Sequence, residues 1–137
     1  MLRRAWASGA AVPYPVEHTA DGVLMEYIGD QTMAALKLAQ AKLSAGDLAS
    51  AWAQLLDSLQ ALTAAGLVHA DLSVYNLLWW QGRLVVIDLP QAVEFTTNTD
   101  AYELLHRDVA NVGAWFTRQG VALDVEAVYA ELLALAL

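Results

Sequence analysis

The stretch from Leu67 to Asp88, LVHADLSVYNLLWWQGRLVVID, constrains this chain more than any other. It reads as a short apolar strand (Leu67, Val68), a polar loop (His69 to Asn76), a second strand (Leu77 to Trp80), a turn at Gln81-Gly82 and a third strand (Leu84 to Ile87) that ends on the carboxylate of Asp88. The turn rests on Gly82, which tolerates the positive φ that a tight hairpin requires. Two hairpin arms are therefore predicted to bracket one acidic loop. Pairing of the strands should bring Asp88 back beside the loop that holds Asp71 and Asn76.

Two carboxylates and a carboxamide converging on one point suit magnesium, because a hard cation takes oxygen ligands and shares them with phosphates and water. The spacing H-x-D-L-x-x-x-N, here His69, Asp71, Leu72 and Asn76, matches the catalytic loop of protein kinases, in which the Asp orients the attacking hydroxyl and the Asn holds metal. Asp88 falls where those enzymes keep their main metal-binding Asp. The resemblance then narrows. Leu67-Val68-His69-Ala70-Asp71-Leu72-Ser73, Tyr75-Asn76, Ile87-Asp88 and Gln91-Ala92-Val93-Glu94 resemble the RIO family of atypical protein serine/threonine kinases. That family carries H-A-D-L-S in place of H-R-D and I-D-x-x-Q-x-V-E in place of D-F-G. The likeness continues through Leu105 to Val112, then Trp115 and Phe116, and runs back through Gly9 to Pro15 and Leu24 to Gly29, so it covers nearly the whole chain. One departure is Pro90, where the family usually has a small polar residue.

The resemblance implies an α+β fold, mostly helical: a protein-kinase-like C-terminal lobe with a hinge and a small remnant of the N-lobe sheet. Residues 1–137 would form one RIO-kinase-like domain truncated at its N-terminus, with 1–29 as N-lobe remnant and hinge and 30–137 as the helical lobe, its catalytic loop at 67–76. It also implies ATP- and Mg2+-dependent phosphoryl transfer. Asp71 would orient the acceptor hydroxyl or water, and Asn76 and Asp88 would hold magnesium on the nucleotide phosphates. Ser73 would touch the γ-phosphate, and Leu78 and Ile87 would floor the adenine. The segment Met25-Glu26-Tyr27-Ile28-Gly29 resembles the hinge, so Met25, Glu26 and Ile28 are candidate nucleotide contacts, through backbone groups from Glu26 to Ile28. RIO relatives are also associated with ATP hydrolysis through phosphorylation of the metal-site Asp, here Asp88. His69 is expected to bond local backbone rather than act as a base.

A kinase also needs a Gly-rich loop over the phosphates and a strand-borne Lys paired with a helix Glu. Neither is found, and the two lysines, Lys37 and Lys42, fall in an Ala-rich stretch after the hinge, Gln31 to Leu43, that is expected to be helical. Neither is expected to be the phosphate lysine. The chain is read as a fragment of a longer protein or a shortened relative.

A length of 137 residues allows one domain with a sizeable core. Apolar residues make up 58% and charged ones only 16%, which argues against disorder and for surface that something else covers. The net charge is −8, with seven Lys and Arg in all. Binding to a phosphate backbone depends on clustered cations, so no direct nucleic-acid binding is expected, and the acidity reads as solubility. Cysteine is absent, which excludes disulfides and thiolate metal sites and fits a reducing compartment. No apolar run has signal-peptide or membrane-spanning length. A soluble cytoplasmic protein is expected, with ATP and an unidentified protein substrate or partner as its ligands.

Along the rest of the chain, Leu2 to Ala7 reads as a helix end with Gly9 at its C-cap. Pro13 and Pro15 force an extended path, and Val16 to Thr19 and Val23 to Tyr27 read as strands joined by Ala20-Asp21-Gly22. Asp47 is read as the N-cap of a helix to about Ala65, with Leu48, Trp52, Leu55, Leu56, Leu59 and Leu62 toward the core. Trp52 belongs to that stripe, so core packing is expected rather than ligand stacking. After a polar loop from Phe95 to Thr99, Thr99 or Asp100 caps a helix to about Arg118, leaving no room for a long activation segment. Asp108, mid-helix, is expected to be buried and to accept hydrogen bonds from the catalytic-loop backbone, a solvent-facing Asp beside His106 and Arg107 being the alternative. Asp124 caps a last amphipathic helix, whose apolar face is expected to cover the lobe, a meeting with a partner being the alternative. Two rival functions remain at this stage: a small-molecule phosphotransferase of the same fold, and a noncatalytic kinase-like binding module.

Overall fold

A computed structural model of the chain describes residues 1–19, 22–25, 28–29 and 35–136. Glu26 and Tyr27 of the expected hinge, and 31–34 of the expected helix, lie outside the described residues. Helix α1 (Leu2–Ala7) ends before Gly9 at φ +93°, and strands β1 (Pro15–Thr19) and β2 (Gly22–Met25) pair antiparallel.

The described part of the Ala-rich stretch is not helical. Leu36–Lys37 form strand β3, paired antiparallel with Trp79 and Leu78, and Leu38–Gln40 make a 3-10 turn. Pairing to the sheet edge and full burial of Leu38 outweigh a helix propensity that tertiary contacts routinely override. Helix α2 (Ala45–Ala64) also starts earlier than expected, because Ser44 rather than Asp47 is the N-cap: its Oγ accepts the Asp47 N–H at 3.1 Å. Asp47 sits in the first turn, where a carboxylate favours the positive end of the helix. The buried face of α2 is Leu48, Ala51, Leu55, Ser58, Leu59, Leu62 and Thr63. Trp52 is half-buried beside it, its ring 5.2 Å from that of Phe116, so it packs in the core as expected.

Gly66 leaves α2 with φ +81° and no heavy atom near a would-be Cβ. Its N–H reaches the Thr63 carbonyl at 3.0 Å and its carbonyl takes the Phe95 N–H at 3.1 Å. An alanine there meets no clash, only the left-handed backbone strain, so Gly66→Ala should lower unfolding stability by about 1 kcal/mol. A urea midpoint unchanged from wild type would contradict this.

Strand β4 (Leu67–Val68) follows. It does not pair with the hairpin that comes next; its partner is β7 (Val93–Glu94), with Leu67 opposite Glu94 and Val68 opposite Val93. There is thus one hairpin arm in this stretch, not two. Strands β5 (Leu77–Trp80) and β6 (Arg83–Val86) form it, in the register Leu77–Val86 to Trp80–Arg83. Gln81 (φ +49°) and Gly82 (φ +77°) are both left-handed, the turn whose twist matches the strands. The Gln54 side chain of α2 clasps the tip, donating to the Gly82 carbonyl at 2.8 Å and accepting the Leu84 N–H at 2.9 Å.

Helix α3 (Ala101–Arg118) begins seven residues after β7 ends at Glu94, so no long segment intervenes. Helix α4 (Val125–Ala136) is capped by Asp124, which accepts the Glu126 and Ala127 N–H groups at 3.0 and 3.2 Å. Its Val128 and Leu132 are buried against α2 and α3. A Cβ on Gly113 of α3 would lie 2.8 Å from Val125 Cγ2, a measure of how close the two helices approach. The apolar face of α4 therefore covers the domain. Among the described residues no helix is long and apolar enough to cross a membrane.

Candidate active site

The loop after β4 is held from one side by helix α3. Asp108, 1% exposed, accepts the Ala70 N–H through Oδ2 at 2.8 Å and the Leu72 N–H through Oδ1 at 3.0 Å. Its expected role is thus observed, and the solvent-facing alternative is overturned. On the same helix, Arg107 Nη2 donates to the Ala70 carbonyl at 2.6 Å and Asn111 Nδ2 to the Leu72 carbonyl at 3.4 Å. Together the three side chains satisfy both backbone polar groups of Ala70 and of Leu72. This support is needed because Ala70 has φ +73°, a left-handed conformation that costs a non-glycine residue about 1–2 kcal/mol. Burial pushes the Asp108 carboxyl above its ordinary 3.8, against the pull of the Leu72 and Ala70 N–H groups and the positive charge of Arg107.

His69 is also buried, and its ring joins the two segments that carry the carboxylates. Nδ1 accepts the Asp71 N–H at 3.2 Å and Nε2 lies 2.8 Å from the Ile87 carbonyl. A backbone N–H can only donate, so Nδ1 is the bare nitrogen and Nε2 carries the proton that it gives to Ile87. Both ring atoms are used by backbone, as expected of a structural residue.

Ser73 and Asn76 form a reciprocal cap around the 3-10 turn Val74–Asn76. Asn76 Oδ1 accepts the Ser73 N–H at 2.9 Å and its hydroxyl at 3.0 Å, and Ser73 Oγ accepts the Tyr75 N–H at 3.2 Å. The other end of the carboxamide, Nδ2, donates to Asp88 Oδ2 at 3.2 Å. Asp88 stands where the hairpin ends: the Ile87 N–H reaches the Asn76 carbonyl at 2.8 Å. Its own backbone is left-handed, φ +62° and ψ +60°, at the start of the 3-10 turn Leu89–Gln91. Pro90 fits there because the first turn of a helix needs no N–H from it.

Asp71 is exposed, Ser73, Leu78 and Ile87 are half-buried, and Asn76 is buried. The structure thus brings Asn76 and Asp88 into contact and ties Asp71 to the Ile87–Asp88 strand end through His69. Ile28 is buried, and its carbonyl takes the Ala35 N–H at 2.9 Å; Met25 ends β2, and Glu26 lies outside the described residues. No group of three or more His, Cys, Asp or Glu side chains among the described residues could hold a metal alone. The donors present, Asp71, Asp88 and the Asn76 carboxamide, are hard oxygens of the kind magnesium shares with phosphates and water, so they fit that ion. Asn76 would bind it through Oδ1, the atom Ser73 now occupies.

Sequence reasoning missed three contributors. Asn111 stands three residues after Asp108 and four after Arg107, and that spacing on a helix was the available signal. The third is Arg4, which pairs with Glu94 and also donates to the Ala65 carbonyl at 3.2 Å. Glu94 of the Q-x-V-E run is thus a strut between α1 and β7, and both partners are exposed enough that the pair is worth at most about 1 kcal/mol.

The RIO domain family matches residues 1–128. The RIO-type serine/threonine-protein kinase Rio1 of Haloferax volcanii is 38% identical over 128 residues, 93% of this chain and 43% of that one. Bovine serine/threonine-protein kinase RIO3 is 38% identical over 121 residues, 88% of this chain and 23% of its own length. Rio1 of Thermoplasma acidophilum is 32% identical over 116 residues, 85% and 59% respectively. The chain therefore spans less than two thirds of the length of these relatives.

Proposed function

This chain belongs to the RIO family, and from that membership we propose that it serves ATP- and magnesium-dependent phosphoryl transfer of the RIO type, to a protein serine or threonine hydroxyl or to water. The observation that carries the reading is the contact of Asn76 with Asp88 at 3.2 Å, on a frame that His69 ties to Asp71. A pure scaffold has no chemical need to keep Asp71, Asn76 and Asp88 all three. The match to RIO proteins over 1–128 speaks for this chemistry over that of a small-molecule phosphotransferase.

In this reading Asp71 orients the acceptor hydroxyl and accepts its hydrogen bond, while Asn76 Oδ1 and the Asp88 carboxylate face the cation. Magnesium, when bound, offsets negative charge on the phosphate oxygens. Asn76 Oδ1, which accepts from the Ser73 N–H and hydroxyl, would be the atom that holds the ion, and the Ser73 hydroxyl would serve the γ-phosphate. Leu78 and Ile87 supply the apolar floor for adenine. The backbone of Met25, Glu26 and Ile28 supplies its edge, with residues 1–29 as hinge and small-lobe remnant and 30–137 as the larger lobe.

The test is transfer of label from γ-labelled ATP by this chain with and without magnesium. Asp71→Asn should lower turnover about a hundredfold while leaving the affinity for magnesium-ATP within about twofold. Unchanged turnover in that variant would contradict the role given to Asp71.

A further inference from the structure

The strand pairing brings a cation to the site that a helix would have kept away. Lys37 of β3 stands opposite Leu78 of β5. Opposite residues of an antiparallel pair project to the same face, and so do residues two apart along a strand. Leu78 thus shares its face with Val85, its fully buried partner on β6, and with Ile87 two residues on, whose N–H reaches the carbonyl of Asn76 at the end of the 3-10 turn that leads into β5. Leu77, Leu84 and Val86 fill the core on the other side. Lys37 is exposed, and its ammonium makes no ion pair or hydrogen bond among the described residues.

Diagonal neighbours on one face of a sheet lie about 7–8 Å apart, a gap that the flexible four-carbon stem of a lysine spans. The Asn76 end of this face otherwise holds the carboxylate of Asp88, in a chain of net charge −8. Arg107 is spent on the Ala70 carbonyl, and Arg83 lies at the far end of the hairpin, opposite Trp80. A polyanionic ligand arriving beside Asp88 therefore meets Lys37 from the sheet edge.

We propose that Lys37 binds a phosphate of the nucleotide, reaching it across Leu78 from the edge of the hairpin. It is a different device from a strand lysine paired with a helix glutamate, and it rests on the phosphoryl-transfer reading above. A phosphate contact should be worth about tenfold in affinity.

Calorimetric titration of the full chain with magnesium-ATP and with adenosine tests it, using Lys37→Met, the charge-keeping Lys37→Arg, and Lys42→Met as a control. The expected result is ATP binding weakened about tenfold in Lys37→Met, retained in Lys37→Arg and Lys42→Met, with adenosine affinity unchanged throughout. ATP affinity in Lys37→Met equal to wild type would overturn the role of Lys37 and leave the site reading standing. Equal loss of adenosine binding would also overturn it, by assigning Lys37 to the adenine floor. No ATP binding by the folded wild-type chain would overturn the site reading and this inference together.

Discussion

Asp108→Ala should lower the stability of the chain by about 4 kcal/mol, read as a shift of the urea midpoint at unchanged slope. The carboxylate accepts two backbone N–H groups, of Ala70 and Leu72, in a place 1% exposed to water. Removing it leaves two buried donors without a partner, each costing about 1–3 kcal/mol, and takes away the support of the left-handed Ala70. Against a total of about 5–15 kcal/mol for a domain, that is a large fraction. Asp108→Asn should cost less, since its carboxamide oxygen can still accept one of the two. The pH dependence has a definite sign. The folded carboxyl lies above its ordinary 3.8 because of burial, so the folded state holds the proton more tightly than the unfolded one. The stability this contributes is complete below pH 3.8 and is lost as pH rises through the raised value. The gap between wild type and Asp108→Asn should therefore narrow as pH rises; a gap that widens would mean the loop N–H groups outweigh burial.

Asp88→Asn should leave the fold intact and weaken magnesium-dependent nucleotide binding about a thousandfold. The substitution is isosteric, and asparagine is among the few residues at ease in the left-handed conformation that Asp88 adopts. It can still accept the Asn76 amide through its oxygen. What it loses is the negative charge that a divalent cation shared with phosphates requires. Thermal unfolding within about 0.5 kcal/mol of wild type, with affinity lost, is the expected pair of results. Affinity within about threefold of wild type would remove Asp88 from the proposed metal site.

What could be read from sequence is what depends on near neighbours. The hairpin at Gln81-Gly82, the stripe of α2 and the Asp124 cap follow from residues within a few positions of one another, whereas Asp108, whose partners Ala70 and Leu72 lie 38 and 36 positions away, was legible through the likeness to the kinase helix. The cap of α2 was misread locally, by three residues, whereas the strands that were misread depend on a distant partner. Leu67-Val68 could have paired with the strand that follows; it pairs instead with Val93-Glu94, more than twenty positions on. Leu36-Lys37 lie in an Ala-rich run that favours helix locally, and only the free edge of β5 makes them a strand. Arg4 and Glu94, 90 positions apart, carry no local signal at all. At the site, the identity of Asp71, Asn76 and Asp88 is a matter of spacing, whereas the hold of Ser73 on Asn76 Oδ1 and the bridge through His69 appear only when the chain is folded.

The most direct measurement is calorimetric titration of this chain with ATP, in magnesium and again in a chelator. The account predicts one-to-one binding in magnesium that disappears when the metal is removed. Absence of binding by a chain shown to be folded, or binding of equal strength without magnesium, would contradict the assignment of Asn76 and Asp88 to a metal-nucleotide site.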